Sequence, residues 1–275
     1  MANILITGDR GFIGSNLVES FGIEHSVVCM DIDDFYDPKY QDWKEELSKS
    51  LDEINADVIF HVGACSDTLE SRVNYMMELN YECTKIITDW CKSKDRKLIY
   101  SSSAANYGVN GYPSNLYGWS KYAAEGYAIS NGAIGLRYFN VYGPGESHKG
   151  KMSSFAFQAY NKQKNGHSVN LFPGEPERDF VYIKDVIQAN HFAMENYGAL
   201  KGKWYDVGSG ESKTFESLLK EVGIEKWEYF REDQIPEGYQ FHTKSQNFMP
   251  GWIPQYTLRI GIGEYVNFLN NQENE

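Results

Sequence analysis

Gly8, Gly11 and Gly14 stand at three-residue intervals in ANILITGDRGFIGSNLVESF, directly after an apolar run, Ile4 to Thr7, that reads as a buried strand. From Phe12 and Ile13 onward the same stretch has the pattern of a helix. Glycines at such a junction permit a tight turn, a close backbone approach to a pyrophosphate and close packing of the helix, whose N-terminus then faces the anion. Strand and helix signals keep alternating beyond it. Ser26 to Met30, Asp57 to His61, Leu98 to Tyr100, Ile134 to Tyr138 and Trp204 to Val207 read as strands. The helical stretches include Asp42 to Glu53, expected only to cover a sheet edge, and a long helix from Arg72 to Lys92. The alternation predicts an α/β fold with a doubly wound parallel sheet and helices on both faces.

The stretch LIYSSSAANYGVNGYPSNLYGWSKYAA, residues 98–124, is where chemistry is expected. It leaves a strand through Ser101, Ser102 and Ser103, loops past Gly111 and Pro113, and enters a helix carrying Tyr117 and Lys121. A tyrosine and a lysine four residues apart share one helix face. An ammonium beside the phenol favours phenolate and lowers a pKa that is about 10 when unperturbed. A phenol so tuned exchanges a proton with a sugar hydroxyl near neutral pH, and Ser103, leaving the preceding strand, would supply a hydroxyl to the same oxygen. The plainer reading, two surface residues on an amphipathic helix, stands beside it until the glycine turn is taken into account.

With 275 residues and 41% hydrophobic content, the chain can bury one large core or two lobes. A net charge of -12 with no basic tract argues against nucleic acid. No run approaches the ~18 apolar residues of a membrane span, and Asp9 and Arg10 interrupt the only early apolar run, so no secretory signal is expected. Cys29, Cys65, Cys83 and Cys91 have neither C-x-x-C spacing nor disulfide-scaffold density, which points to reduced thiols in a cytoplasmic setting with no metal site. Asp31, about twenty positions beyond the glycines, is placed to hydrogen-bond a ribose 2′-OH, with Ile32 beside it. Asp33 and Asp34 would repel a 2′-phosphate, which favours NAD over NADP. A solvated acidic turn is the alternative.

The glycine spacing, SSSAANYG, YGWSK, RYFNVYGP and RDFVYIKDV resemble the extended short-chain dehydrogenase/reductases that act on nucleotide sugars. Within them, FHVGACSDT, YMMELNYECTK, RYFNVYGPGESHKGKMSSFAF and LFPGEPERDFVYIKDV are most similar to the ADP-glycero-manno-heptose 6-epimerases. The resemblance runs from Asn3 to Asn270, loosely after Lys213. It implies a Rossmann-type domain, residues 1–139 with 181–207, and a smaller interleaved substrate lobe, 140–180 with 208–275. It also implies a homo-oligomeric enzyme that binds a nucleotide sugar, oxidises it transiently to a keto-sugar and re-reduces it on the opposite face. A UDP-hexose 4-epimerase, a net keto-sugar reductase and a non-enzymatic nucleotide sensor are the alternatives. The heptose epimerases often use NADP through a lysine, a part open to Lys39.

The resemblance assigns further residues. Gly63, Ala64 and Cys65 would follow the cofactor at a strand end, with Asn80 near it. Cys65 as a nucleophile is the competing thought. Asn140 and Val141 would touch substrate, and Lys149 would be the second acid/base alongside Tyr117, unless it is only a solvated surface charge. Lys151 and Gln158 replace a serine and a histidine of the heptose family at substrate-contacting positions. Phe172 and its loop would hold the nucleotide, Arg178 its diphosphate, and Tyr239 would lie at the substrate site. An ion pair with Asp179 is the other use for Arg178. Ala104 and Ala105 stand where sugar dehydratases place an Asp-Glu pair, which disfavours elimination. The loop from Ser103 to Tyr117 is also shorter than in the heptose epimerases.

Overall fold

A computed structural model describes residues 1–36, 42–236 and 239–272; Lys39 and the side chain of Asp33 lie outside what is described. Along the chain the strands are β1 (Asn3–Thr7), β2 (Ser26–Met30), β3 (Val58–His61), β4 (Lys97–Ser103), β5 (Ile134–Tyr138), β6 (Asn140–Tyr142), β7 (Asn170–Leu171), β8 (Glu177–Tyr182), β9 (Lys203–Val207), β10 (Ser212–Thr214) and β11 (Glu228–Tyr229). The helices are α1 (Phe12–Phe21), α2 (Trp43–Ile54), α3 (Val73–Met77), α4 (Cys83–Ser93), α5 (Leu116–Ser130), α6 (Phe155–Lys164), α7 (Ile183–Glu195), α8 (Tyr197–Leu200), α9 (Phe215–Val222) and α10 (Leu258–Gln272). No described helix is long and apolar enough to cross a membrane.

Six strands form one sheet in the order β2-β1-β3-β4-β5-β9. β1 is parallel to both β2 and β3, and β3 to β4. Ile4, Leu5 and Ile6 are fully buried because a strand covered by helices on both faces must be apolar on both. The chain moves from β1 outward to β2 and then returns to the other side at β3. The carboxyl ends of β1 and β3 therefore flank the crevice where open α/β sheets bind ligands. This is the expected α/β, Rossmann-type sheet.

Two helices depart from expectation. α2 does more than cover an edge: Trp43, Leu47 and Leu51, spaced one turn apart, are buried in the same core as Leu5, Ile59 and Ile87. The long helix from Arg72 is interrupted by a π-helical segment, Glu78–Glu82, between α3 and α4. Hydrophobic periodicity does not reveal such a turn, since its cause is tertiary: the buried Asn80 amide bonds outside the helix. π segments of this kind recur at functional sites.

The chain divides into two compact units, residues 1–137 with 187–205, and residues 138–186 with 206–275. The return to the first unit falls at Ile187 rather than at 181 because Val181 and Tyr182 are paired in β8 to Val141 and Tyr142 of β6. The second unit has a three-stranded sheet, β10-β8-β6, and the short parallel pair β7 and β11. β6 runs parallel to β8 and β10 antiparallel to it.

A buried histidine ties the first unit together. The Gly63 N–H donates to Thr7 Oγ1 (3.1 Å), and that hydroxyl lies 2.7 Å from His61 Nδ1. His61 Nε2 lies 2.9 Å from Thr84 Oγ1, whose proton goes to the Asn80 carbonyl at 2.7 Å. Thr84 must then accept from His61, which fixes the Nε2–H tautomer and leaves Nδ1 to accept from Thr7. Burial pushes His61 down to about 3. Below the ordinary value of 6.5 the unfolded chain binds a proton here that the folded chain does not. His61 should therefore contribute a loss of stability as pH drops from 6.5 toward 3. Urea midpoints across that range should fall more steeply in the parent than in His61→Gln; an equal slope in the variant would remove His61 from the account.

Candidate active site

At the end of β1, Gly8 has φ +72°, and a Cβ there would lie 2.6 Å from the backbone of Gly63 at the end of β3. A Cβ on Gly14 would lie 2.0 Å from the Gly8 carbonyl oxygen. The Gly11 N–H donates to that same carbonyl at 3.0 Å. α1 begins at Phe12 with Gly11 as its N-cap and no capping side chain, so the first-turn amides face the glycine turn unshielded. Phe12 and Gly14 are buried and Ile13 partly so. These residues fit a dinucleotide pyrophosphate, for which backbone amides and the absence of Cβ atoms are the requirement.

Asp31, at the end of β2, accepts from the Ile32 N–H (2.7 Å) and the Arg10 N–H (3.1 Å), which brings it against the glycine turn. Arg10 pairs with Asp34 at 2.5 Å, and Asp34 also accepts from the Asp31 N–H. Beyond β3, the Cys65 N–H donates to Asn80 Oδ1 (2.7 Å), and Asn80 Nδ2 returns a bond to the Cys65 carbonyl (3.0 Å). Asn80 Nδ2 also reaches Ser120 Oγ (2.9 Å), which donates to the Tyr117 carbonyl (2.7 Å). Asn80 thus clamps the loop of Gly63, Ala64 and Cys65 to the helix carrying Tyr117. Burial raises the Cys65 thiol, which argues against a nucleophilic thiolate.

Ser103 ends β4 and caps the next turn, its Oγ accepting from the Ala105 N–H. Asn115 caps α5 through Gly118 N–H at 2.8 Å, which sets Tyr117 and Lys121 on one face of its first turns. Ser103 hydrogen-bonds Tyr117. The expected depression of the phenol is not found. Burial raises Tyr117, the Ser103 bond lowers it in part, and a nearby Cys65 raises it further. Lys121, 3% exposed, lies 4.3 Å from the centre of the Tyr100 ring and is itself pushed down to about 7 by burial. Burial works against the charged form of Lys121, and helix spacing alone does not register that cost.

In the second unit, Lys149 lies in the turn Ser147–Met152 and is half-buried, not a solvated surface charge. Burial lowers it and the neighbouring Glu146 offsets this in part. Glu146 is fully buried and accepts from Gly143 N–H, from both N–H and Oγ of Ser154, and from Tyr265 Oη at 3.0 Å. It holds both ends of the loop that carries Lys149. Gln158 is tethered through its amide nitrogen, which donates to the carbonyls of Lys151 (3.1 Å) and Ser153 (2.8 Å). Lys151 and Asn140 are exposed, Val141 partly so.

Arg178 does not pair with Asp179. Asp179 is fully buried and accepts from Ser209, Gly210 and Ser245 instead. The Arg178 guanidinium donates to the Glu177 carbonyl and lies 5.1 Å from the Tyr239 ring centre; burial lowers it and the neighbouring Tyr239 offsets this in part. No carboxylate of the described residues pairs with it, so an anion is the partner that would relieve its desolvation. Phe172 packs against Tyr239 (5.1 Å between ring centres) and Phe230 (5.2 Å). Among the described residues no group of three or more His, Cys, Asp or Glu is placed to hold a metal ion.

Sequence reading missed Glu125, Arg137, His61 and Glu146. Glu125 had a legible signal, the same four-residue step that links Tyr117 to Lys121. The other three are marked only by a tertiary partner.

The family model "NAD dependent epimerase/dehydratase family" matches residues 4–208. An ADP-L-glycero-D-manno-heptose-6-epimerase of Brachyspira hyodysenteriae is 36% identical, with 79% of each chain covered. The crystal structure of the Helicobacter pylori enzyme of that name is 32% identical, with a TM-score of 0.80 over 97% of this chain and 96% of that one. Thermotoga maritima UDP-glucose 4-epimerase with UDP-glucose, at 24% identity, has a TM-score of 0.84 over 98% and 99% of the two chains and shares the fold.

The glycine cradle gives a direct check. Gly14→Ala forces a methyl group onto a backbone oxygen and should cost about 1–3 kcal/mol of stability. It should also weaken dinucleotide binding by roughly tenfold or more. Urea unfolding and a calorimetric dissociation constant measure both; an alanine variant equal to the parent in each would remove the cradle.

Proposed function

Because the chain belongs to the NAD-dependent epimerase/dehydratase family and is one of its nucleotide-sugar epimerases, we propose that it inverts C6 of an ADP-glycero-manno-heptose by transient oxidation and re-reduction. The observation that carries this reading is Lys149, half-buried and lowered by burial in a loop braced by Glu146. A lysine in that state exchanges a proton nearer neutral pH than a solvated one does. The two heptose epimerases, at 36% and 32% identity, support the same sugar. Such a substrate belongs to lipopolysaccharide precursor synthesis.

NAD is the proposed cofactor, bound by Gly8, Gly11, Gly14, Asp31, Gly63 and Ala64. Asp31 and Asp34 would repel a 2′-phosphate, and among the described residues the neighbouring Arg10 is paired with Asp34. When bound, it supplies reversible hydride acceptance, which no side chain offers. Tyr117 takes the proton of the sugar hydroxyl as the carbinol becomes a ketone. Ser103 steadies that oxygen through its bond to Tyr117. Lys121 favours the phenolate to the extent that it is protonated. Lys149 serves the second face of the ketone and returns the proton there. Arg178 holds the diphosphate, with Phe172 and Tyr239 beside it. No carboxylate follows Ser103, so the acid and base of an elimination are missing.

A UDP-hexose 4-epimerase is the second reading. It is favoured by Lys151 and by the tethered Gln158, which stand where the heptose family has substrate-contacting serine and histidine side chains. Tyr117 alone would then serve both faces.

An NMR time course with separate ADP-heptose, UDP-galactose, UDP-N-acetylglucosamine and GDP-mannose samples, with NAD or NADP, decides among these. Inversion at C6 of the heptose without net cofactor change is the expected result. Inversion at C4 of a UDP-hexose would transfer the assignment to the second reading, and net consumption of reduced cofactor would make the enzyme a reductase. Tyr117→Phe should lose on the order of 10²–10⁴ in kcat while still binding NAD. Lys149→Met should stop heptose inversion yet still allow transient reduction of the cofactor, seen in its absorbance. Full inversion by the Lys149 variant would end that residue's role.

A further inference from the structure

Glu125 extends the active helix face by one more step, from Tyr117 through Lys121. It is 2% exposed, and its carboxylate accepts from two strands of the first unit, β4 and β5. Ser102 Oγ, on the residue before Ser103 in β4, donates to Glu125 Oε2 at 2.7 Å. Arg137, in β5, donates through Nε to Oε2 (2.8 Å) and through Nη2 to Oε1 (2.6 Å). The guanidinium lies 3.6 Å from the Trp204 ring centre and 4.6 Å from that of Tyr107, which fixes its plane. Asn106 donates to Ser102 Oγ at 3.0 Å, which completes the network on the strand side.

We propose that Glu125 is a positioning residue for the chemistry at Tyr117: one carboxylate locks the strand end that carries Ser103 to the helix that carries Tyr117 and Lys121, and presents its negative charge behind Lys121. The proposal rests on the reading of Tyr117 as the acid/base. None of the hydrogen bonds to Glu125 comes from Lys121, so its charge acts on the ammonium through space. Burial favours the neutral amine of Lys121, and Glu125 is the largest influence in the opposite direction. Arg137 supplies the second charge that a buried carboxylate requires. Because its bidentate fork takes both oxygens, it also fixes which way Glu125 faces.

A purely structural ion pair would lower activity when broken and leave the titration of Lys121 where it was. The test follows Lys121 itself, by carbon NMR of protein labelled at the lysine Cε and saturated with NAD, assigned by the signal missing in Lys121→Met. A midpoint near 7 stands apart from surface lysines near 10.5. In Glu125→Gln that midpoint should fall by about one pH unit, as expected for loss of a unit charge one helical turn away. In Glu125→Asp, which keeps the charge, it should stay close to the parent value. Glu125→Gln with Arg137→Met leaves no unpaired guanidinium, so it tests the same point if the single variant fails to fold, and there too the midpoint should fall.

The alkaline limb of the kcat profile should move to lower pH together with the NMR midpoint. An NMR midpoint that stays fixed in both the single and the double variant overturns the proposal, whatever the activities. The NMR readout needs no sugar substrate. Failure to turn over any nucleotide sugar would sink the functional reading without affecting the result for Glu125.

Discussion

The close approach of the β1 and β3 ends is the constraint on which the first unit depends. Gly8 and Gly63 meet backbone to backbone, at a separation no Cβ could share. Thr7 and His61, one strand position before the turns, hold the two ends together by hydrogen bonds that continue through Thr84 to Asn80. Asn80 then fastens the Cys65 loop to Ser120 and so to the backbone of Tyr117. The place where a pyrophosphate can approach and the place where a phenol can act are thus fixed by one continuous buried network. Each member is satisfied, which is what makes such a network rigid rather than costly.

Burial also sets the electrostatics. Lys121, Lys149 and Arg178 are each pushed toward their neutral forms, and Tyr117 is pushed toward the phenol. Desolvation is the largest influence on all four. In that setting a proton-transfer group is poised by its neighbours and not by its type. Glu125 opposes burial at Lys121, as Glu146 does at Lys149. The two carboxylates have the same form: each is buried, held by several donors, and placed a few residues from the lysine it influences.

In the second unit a strand separates two neighbouring charges, Arg178 and Asp179. Asp179 might be read from sequence as the natural partner of Arg178, but a strand turns adjacent side chains to opposite faces. Asp179 therefore faces the Ser209 and Ser245 loops, while Arg178 lies against Tyr239. The guanidinium is left among aromatic rings with a carbonyl and a phenol, and no described carboxylate pairs with it.

The sequence by itself determined the sheet, the glycine turn and the Ser103, Tyr117, Lys121 set, because these depend on local rules: apolar runs, glycine at positive φ, and the four-residue step of a helix. Only the tertiary structure decided the charge states, since those depend on how much water each group loses. It alone showed the π turn at Asn80, the burial of α2, the tethering of Gln158 and the partners of Glu125 and Glu146. Each of these is a bond or a packing contact between residues far apart in the chain. Spacing within one helix carries no record of what a distant strand or loop will bring against it.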